Sequence, residues 1–78
     1  MTAPIPNVMT LTDNARDTIA DWANDDGTNR QELIEHLLIL IRMGARGHME
    51  SPNLIVCETP TLQVGLFRDR KGGISLNS

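Results

Sequence analysis

Residues 28–43 read TNRQELIEHLLILIRM and are the most informative part of this 78-residue chain. Thr28 and Asn29 are each followed three residues later by Gln or Glu, and this pattern makes two overlapping capping boxes at a helix start. From residue 37 to residue 41 every side chain is apolar, so a helix here has no face suited to water. A buried strand over 37–41 is the alternative, because a short apolar run fits either element. The caps favour the helix, which we expect over 29–44.

The size of the chain indicates that a partner covers this helix. A protein of 8.6 kDa forms one small domain that buries only about 60% of its unfolded surface. A helix that is apolar on all sides must be covered on all sides, and the remaining residues are too few to surround it. We therefore expect a homodimer. Its core would contain the apolar side chains of the first strand and both helices, namely Leu11, Ile19, Trp22, Leu33, Ile34, Leu37, Leu38 and Ile41.

Upstream of residue 28 the pattern predicts one strand and one helix. Apolar residues recur at helical spacing over 13–25, at Ala15, Ile19, Trp22 and Ala23. A weak alternation over 7–12 predicts a short strand. Residues 1–6 contain two prolines, so we expect a flexible N-terminus there.

Downstream of the second helix, residues 45–78 have the composition of short strands and turns. Prolines bracket Leu54-Ile55-Val56-Cys57, apolar and other residues alternate over 62–67, and Arg70-Lys71-Gly72-Gly73 is typical of a turn. We expect a β-meander or β-hairpin, or a tail that orders only on a partner. The predicted fold class is thus mainly α with short β, and the predicted regions are 1–6, a dimerisation domain over 7–44 and a β-rich tail over 45–78.

Residues 19–34, IADWANDDGTNRQELI, resemble the two-helix half of the ribbon-helix-helix family of DNA-binding proteins. Apolar residues precede an acidic turn with Gly27, and a capping residue, Arg, Glu and an apolar pair follow without a gap. The resemblance spans about residues 8–43. It implies an intertwined homodimer in which two copies of the strand pair into an antiparallel ribbon that lies in the major groove of double-stranded DNA.

The resemblance also implies which residues contact DNA. Val8 and Thr10 match the base-facing positions of the ribbon, although only Thr10 carries a hydrogen-bonding side chain and Pro6 lacks an N–H. The start of the second helix matches a phosphate contact made by Thr28, Asn29 and Arg30, and a helix N-terminus does attract anions. The alternative is that Thr28 and Asn29 only cap the helix while Arg30 pairs with an acid. A basic cluster at Arg68, Arg70 and Lys71 is either an accessory DNA contact or a solvated turn.

Charge and aromatic content limit the possible nucleic-acid partners. The chain contains seven Lys and Arg residues and ten Asp and Glu residues. This excess of acidic residues disfavours broad, non-specific binding to nucleic-acid phosphates. One Trp, one Phe and no Tyr exclude an aromatic platform for single strands. Asp13, Asp17, Asp21 and Asp25 recur every four residues. This row is a solvated face, an edge that imitates phosphates or a divalent metal site, and the first interpretation is favoured.

Apart from the aspartate row, the sequence contains no arrangement that favours catalysis or metal binding. His36, His48 and Cys57 lack the close spacing of zinc ligands, and a calcium loop centred on Gly27 would place Trp22 and Leu33 at ligand positions. No serine has a plausible base nearby. We therefore expect no enzyme activity, cofactor or metal. A single cysteine indicates the cytoplasm, and an apolar run of five residues is too short to span a membrane.

The sequence thus predicts a small dimeric DNA-binding transcriptional regulator, with an antitoxin-type role if residues 45–78 bind a protein partner. The alternative is a protein-interaction or inhibitor module without sequence-specific DNA binding. Such a module would present either the acidic helix face or the C-terminal strands to its partner.

Overall fold

A computed structural model of the chain describes residues 10–77. The elements, in chain order, are β1 (Thr10–Leu11), α1 (Asp13–Asn24), α2 (Arg30–Arg42), β2 (Arg46–Ser51), β3 (Leu54–Glu58), β4 (Gln63–Arg68) and β5 (Ile74–Asn77). The five strands form one sheet in the order β1-β2-β3-β4-β5. β1 is parallel to β2, and each later pair is antiparallel.

Local capping fixes where the two helices begin. The Thr12 hydroxyl accepts a hydrogen bond from the Ala15 amide at 3.2 Å, and the Asn29 side chain accepts one from the Glu32 amide at 3.1 Å. Each bond satisfies an amide that has no partner inside its own helix. The helices therefore lie within two residues of the positions that the sequence indicates.

The core lies between the two helices and one face of the sheet. Alternate strand residues point towards the helices, so Ile55, Cys57 and Leu66 are fully buried. α1 is held over the turn after β2 by a hydrogen bond from the Trp22 indole to the Pro52 carbonyl at 3.1 Å. The helices contribute Ala15, Ile19, Trp22, Leu33, Leu37 and Leu40 to the same core.

The predicted fold class, a mainly α ribbon-helix-helix dimer, is wrong. Strands contain about as many residues as helices, and they join into one mixed sheet. The predicted ribbon strand over 7–12 appears only as Thr10–Leu11, and it pairs in parallel with Arg46 and Gly47 of the same chain. Residues 7–9 lie outside the described residues. The fold differs from the predicted one because the C-terminal half forms a four-stranded meander, which is larger than a hairpin. This meander supplies the apolar surface that the helices need.

The structure also shows how far the chain itself covers α2. Leu33, Leu37 and Leu40 are buried against the chain's own core, whereas Leu38 and Ile39 remain 40% and 43% exposed. Among the other residues assigned to a dimer core, Ile19 and Trp22 are buried, and Leu11, Ile34 and Ile41 are partly buried. The apolar helix is therefore covered on one side only. Within residues 10–77, no helix has the length and hydropathy needed to cross a bilayer.

Candidate functional site

The start of α2, which the sequence marks as a phosphate contact, bonds to other parts of the same chain. Thr28 is buried, and its hydroxyl accepts a hydrogen bond from Arg68 Nε at 2.7 Å. The Asn29 amide donates to the Gly72 carbonyl at 2.8 Å, and Arg30 Nη1 donates to the Ala23 carbonyl at 2.7 Å. The turn between β4 and β5 thus lies against the start of α2.

The basic cluster near the C-terminus is divided in the structure. Arg68 reaches across to the helix turn, where it also forms an ion pair with Asp25 at 3.0 Å. Arg70 and Lys71 are exposed in the β4–β5 turn. The structure therefore brings Arg68 beside Thr28, two residues that the sequence assigned to separate contacts. Asp25 is therefore paired with Arg68, whereas Asp13, Asp17 and Asp21, the other members of the acidic row, lie along α1.

The remaining predicted contacts are spread over the molecule. Thr10 is exposed in β1 at the edge of the sheet, and Val8 lies outside the described residues. Asp13, Asp17 and Asp21 are exposed along α1. Thr10 therefore lies at the β1 edge, next to the start of α1, whereas the start of α2 lies beyond the end of α1. The two predicted DNA contacts are thus not adjacent.

The feature that sequence reasoning missed is the face of the sheet that points away from the helices, which we call the open face. It carries alternate residues of the four long strands, of which His48, Val56, Gly65 and Asn77 form one cross-strand row. None of the helices and strands described in residues 10–77 covers it. On this face Leu54 and Val56 are half-buried, and Phe67 is 37% exposed.

The open face contains a shallow depression of about 410 Å³. Leu54, Val56 and Gly65 line its apolar part. A Cβ at Gly65 would come within 3.0 Å of the Leu54 side chain, which is tighter than ordinary packing. The missing side chain at this position therefore keeps the depression open.

Polar side chains surround this apolar centre. His48, Glu50 and Glu58 lie on β2 and β3, and Gln63 and Asn77 lie on β4 and β5. His48 Nε2 is 4.0 Å from a Glu50 carboxylate oxygen, and both side chains are largely exposed. The arrangement places hydrogen-bond donors and acceptors around an apolar floor.

The described residues contain no candidate metal site, and their one cysteine is buried. Within residues 10–77, no three His, Cys, Asp or Glu side chains are placed to hold a metal ion. Cys57 points into the core, and burial raises the pKa of its thiol to about 11. The thiol is therefore protonated at neutral pH and shielded from substrates.

One sequence pattern did indicate an apolar open face. Leu54-Ile55-Val56-Cys57 is apolar at every position, and because side chains alternate in a strand, half of that run must leave the core. Ile55 and Cys57 face the helices, so Leu54 and Val56 face outward.

No family model, curated protein or solved structure matches the chain. The geometry of the described residues is therefore the basis for a functional interpretation.

Proposed function

We propose that this protein is a small interaction module that binds a protein partner through its open face. The observation that carries the proposal is the unequal covering of the sheet. Two helices cover one face, and the other displays Leu54, Val56 and Phe67 without a helix or strand from residues 10–77 above them. A solvated sheet face normally alternates to polar residues, so apolar side chains at its centre favour contact with a partner.

The composition of the open face supports a protein as the partner. Its centre is apolar, and polar side chains surround this centre. The charged side chains among them, Arg46, Glu50 and Glu58, lie at the outer border of the face. Interface cores are depleted in charged residues and have polar rims. A nucleic-acid surface would instead need several Lys or Arg side chains to neutralise phosphates.

The contacts at the start of α2 favour this proposal over operator binding. A phosphate contact there would compete with the Arg68–Thr28, Asn29–Gly72 and Arg30–Ala23 hydrogen bonds. Thr10, which the ribbon would use to contact bases, pairs in parallel with Arg46 of the same chain at the edge of the sheet. We place the interaction in the cytoplasm, where a lone buried cysteine such as Cys57 stays reduced.

Co-purification from the native cell with matched variants tests the proposal. Val56→Glu puts a carboxylate at the centre of the open face, and Leu38→Glu puts one on the exposed side of α2. We expect Val56→Glu to reduce recovery of the partner at least about tenfold, the loss expected when a central interface contact worth more than about 1.4 kcal/mol is removed. We expect Leu38→Glu to retain the partner. Thermal unfolding of both variants shows that each remains folded.

Two outcomes would contradict the proposal. In the first, Val56→Glu is folded and recovers the same proteins as the unmodified chain. In the second, the chain retards DNA from its own upstream region, with an affinity that falls steeply with salt and with Arg30→Ala. Either result would move the function away from the open face.

A further inference from the structure

β5 forms one edge of the sheet, and its hydrogen bonding follows from that of the adjoining turn. The Asp69 amide donates to the Gly73 carbonyl at 2.9 Å, in the same register as the β4–β5 ladder. Bonded pairs alternate along an antiparallel ladder, so Ser75 and Asn77 bond to β4. Ile74 and Leu76 therefore direct their N–H and C=O groups outward, away from the sheet.

The edge is protected at one of these two residues. The Ile74 amide donates to the Glu32 carboxylate at 3.2 Å, so α2 caps the beginning of β5. No side chain in residues 10–77 does the same for the Leu76 amide. Edge strands are usually guarded by Lys, Pro or a bulge, and Ile74–Asn77 contains none of these. At the opposite edge, by contrast, β1 covers the beginning of β2, and β2 contains an irregularity between Met49 and Ser51.

The flank of α2 that carries Glu32, His36 and Ile39 lies beside the unprotected part of β5. Ile39 follows Glu32 by seven residues, or two helical turns, and so lies on the same side of α2. α2 and β5 both lead away from the Glu32–Ile74 bond, and each advances about 10 Å by Ile39 and by Asn77. Ile39 is 43% exposed there. The outward peptide groups of Leu76 thus adjoin an exposed apolar side chain.

We propose that a second copy of this chain binds the β5 edge, with the two β5 strands antiparallel and a two-fold axis at Leu76. In this register each Leu76 amide donates to the other copy's Leu76 carbonyl, and both Glu32–Ile74 bonds are kept. Leu76 lies opposite Leu76 on the helix side, with Ile39 adjacent. Ser75 lies opposite Asn77 of the second copy on the open face.

Charge and symmetry favour a second copy as the occupant. The chain carries a net charge of −3, and two copies repel each other least at a contact with few ionised groups, which here are the two Glu32 carboxylates that cap Ile74. Ile74–Asn77 is uncharged, and a two-fold pairing uses the same short strand on both sides. The two sheets become continuous and their open faces lie side by side, an assembly that the proposed partner binding does not require.

The size of the contact sets its expected strength. A pairing of three residues in each strand and one helix flank bury less than the roughly 800 Å² per partner of a standard interface. We therefore expect a dissociation constant on the order of 10 to 100 µM, which is a weak but measurable dimer.

Sedimentation of the full chain from about 1 µM to about 1 mM tests the dimer by mass action. We expect the mass to rise from 8.6 kDa towards twice that value. Ile39→Glu places a carboxylate beside the two-fold axis and close to the Glu32 carboxylate of the second copy, and we expect it to raise the dissociation constant at least about tenfold. Leu38→Glu is the matched control, because Leu38 is 40% exposed and lies on the other flank of α2. It should dimerise like the unmodified chain.

Hydrogen exchange supplies a second measurement within the same strand. The Leu76 amide should exchange more slowly as the protein concentration rises, whereas the Ile74 amide, already bonded to Glu32, should show little change. A chain that stays at 8.6 kDa up to about 1 mM overturns the proposal. So does a dimer that Leu38→Glu disrupts and Ile39→Glu does not. Protection of Leu76 only in a complex with another protein would assign the edge to that protein and overturn it as well.

Discussion

Cys57 shows how one buried side chain couples stability to pH. Its thiol is fully buried between the sheet and the helices, and desolvation raises its pKa from 9.0 to about 11. The unfolded chain therefore loses this proton at lower pH than the folded chain does. The contribution of the protonated thiol to the free energy of unfolding is therefore complete below pH 9, and it is lost as the pH rises from about 9 to about 11.

We expect this titration to lower the free energy of unfolding by roughly 2 to 3 kcal/mol across that range, since each pKa unit corresponds to about 1.4 kcal/mol. Urea unfolding at a series of pH values measures it, with Cys57→Ala as the control. That variant should be less stable at neutral pH because of the cavity, and should lack this alkaline decline. Parallel declines in both proteins would show that Cys57 is not the responsible group.

Gly72 permits the close contact between the β4–β5 turn and the α1–α2 turn. Its φ is +86°, and a Cβ there would overlap the carbonyl oxygen of Gly27. We expect Gly72→Ala to cost about 3 kcal/mol or more, because left-handed strain and an overlap with backbone act together. Gly44→Ala is the control, since Gly44 has a φ of +68° but open space for 4 Å around the point that a Cβ would occupy. It should cost about 1 to 2 kcal/mol, and equal losses in urea unfolding would contradict the contact.

At the scale of elements, Arg68 joins two turns that are forty residues apart in the chain. It donates to Thr28 and forms an ion pair with the half-exposed Asp25. We expect Arg68→Met to lower the free energy of unfolding by about 2 kcal/mol, chiefly through the bond to the buried Thr28 hydroxyl. Arg70→Met, an exposed change in the same turn, should alter it by less than about 0.5 kcal/mol.

A double-mutant cycle with Thr28→Val separates the contact from other effects of Arg68. Residues that share a hydrogen bond show a non-zero interaction energy, here expected at about 1 kcal/mol or more. Additive losses would mean that Arg68 stabilises the fold by another route.

The elements also show how far the sequence predicts this structure. The helical spacing over 13–25 and the capping box at Asn29 are local signals, so they indicate both helix starts to within one residue. Strand pairing depends on contacts between distant residues, and nothing near Thr10 indicates that β1 lies parallel to Arg46. The apolar run from residue 37 to residue 41 suggests a dimer core because the sheet that buries half of it lies elsewhere in the chain.

The candidate site was less predictable than the fold. The pattern at Thr28, Asn29 and Arg30 is that of an exposed helix start, and only the folded chain brings Arg68 and Gly72 against it. The open face combines residues from four strands, so no short motif contains it. Its one local trace is the outward half of Leu54-Ile55-Val56-Cys57.

At the scale of the whole molecule, two helices and five strands leave two kinds of surface without a partner from residues 10–77. One is the open face, with its apolar centre at Val56, and the other is the β5 edge beside Ile39. The first supports binding of a partner protein and the second supports pairing of two copies. The surfaces share Asn77, but Val56 lies on the open face and Ile39 lies on α2, so a substitution at either of these two residues changes only one surface.

Photo-crosslinking in the native cell tests the role of the open face most directly. A benzoylphenylalanine replaces Gln63 on the open face or, as the matched control, Gln31 on the exposed side of α2 near its start. Both positions are exposed glutamines, so the two probes differ chiefly in the surface that they report. The account predicts that the Gln63 probe forms a covalent adduct with one protein partner and that the Gln31 probe does not. An adduct with protein or DNA at Gln31, with none or only an intrachain adduct at Gln63, would contradict it.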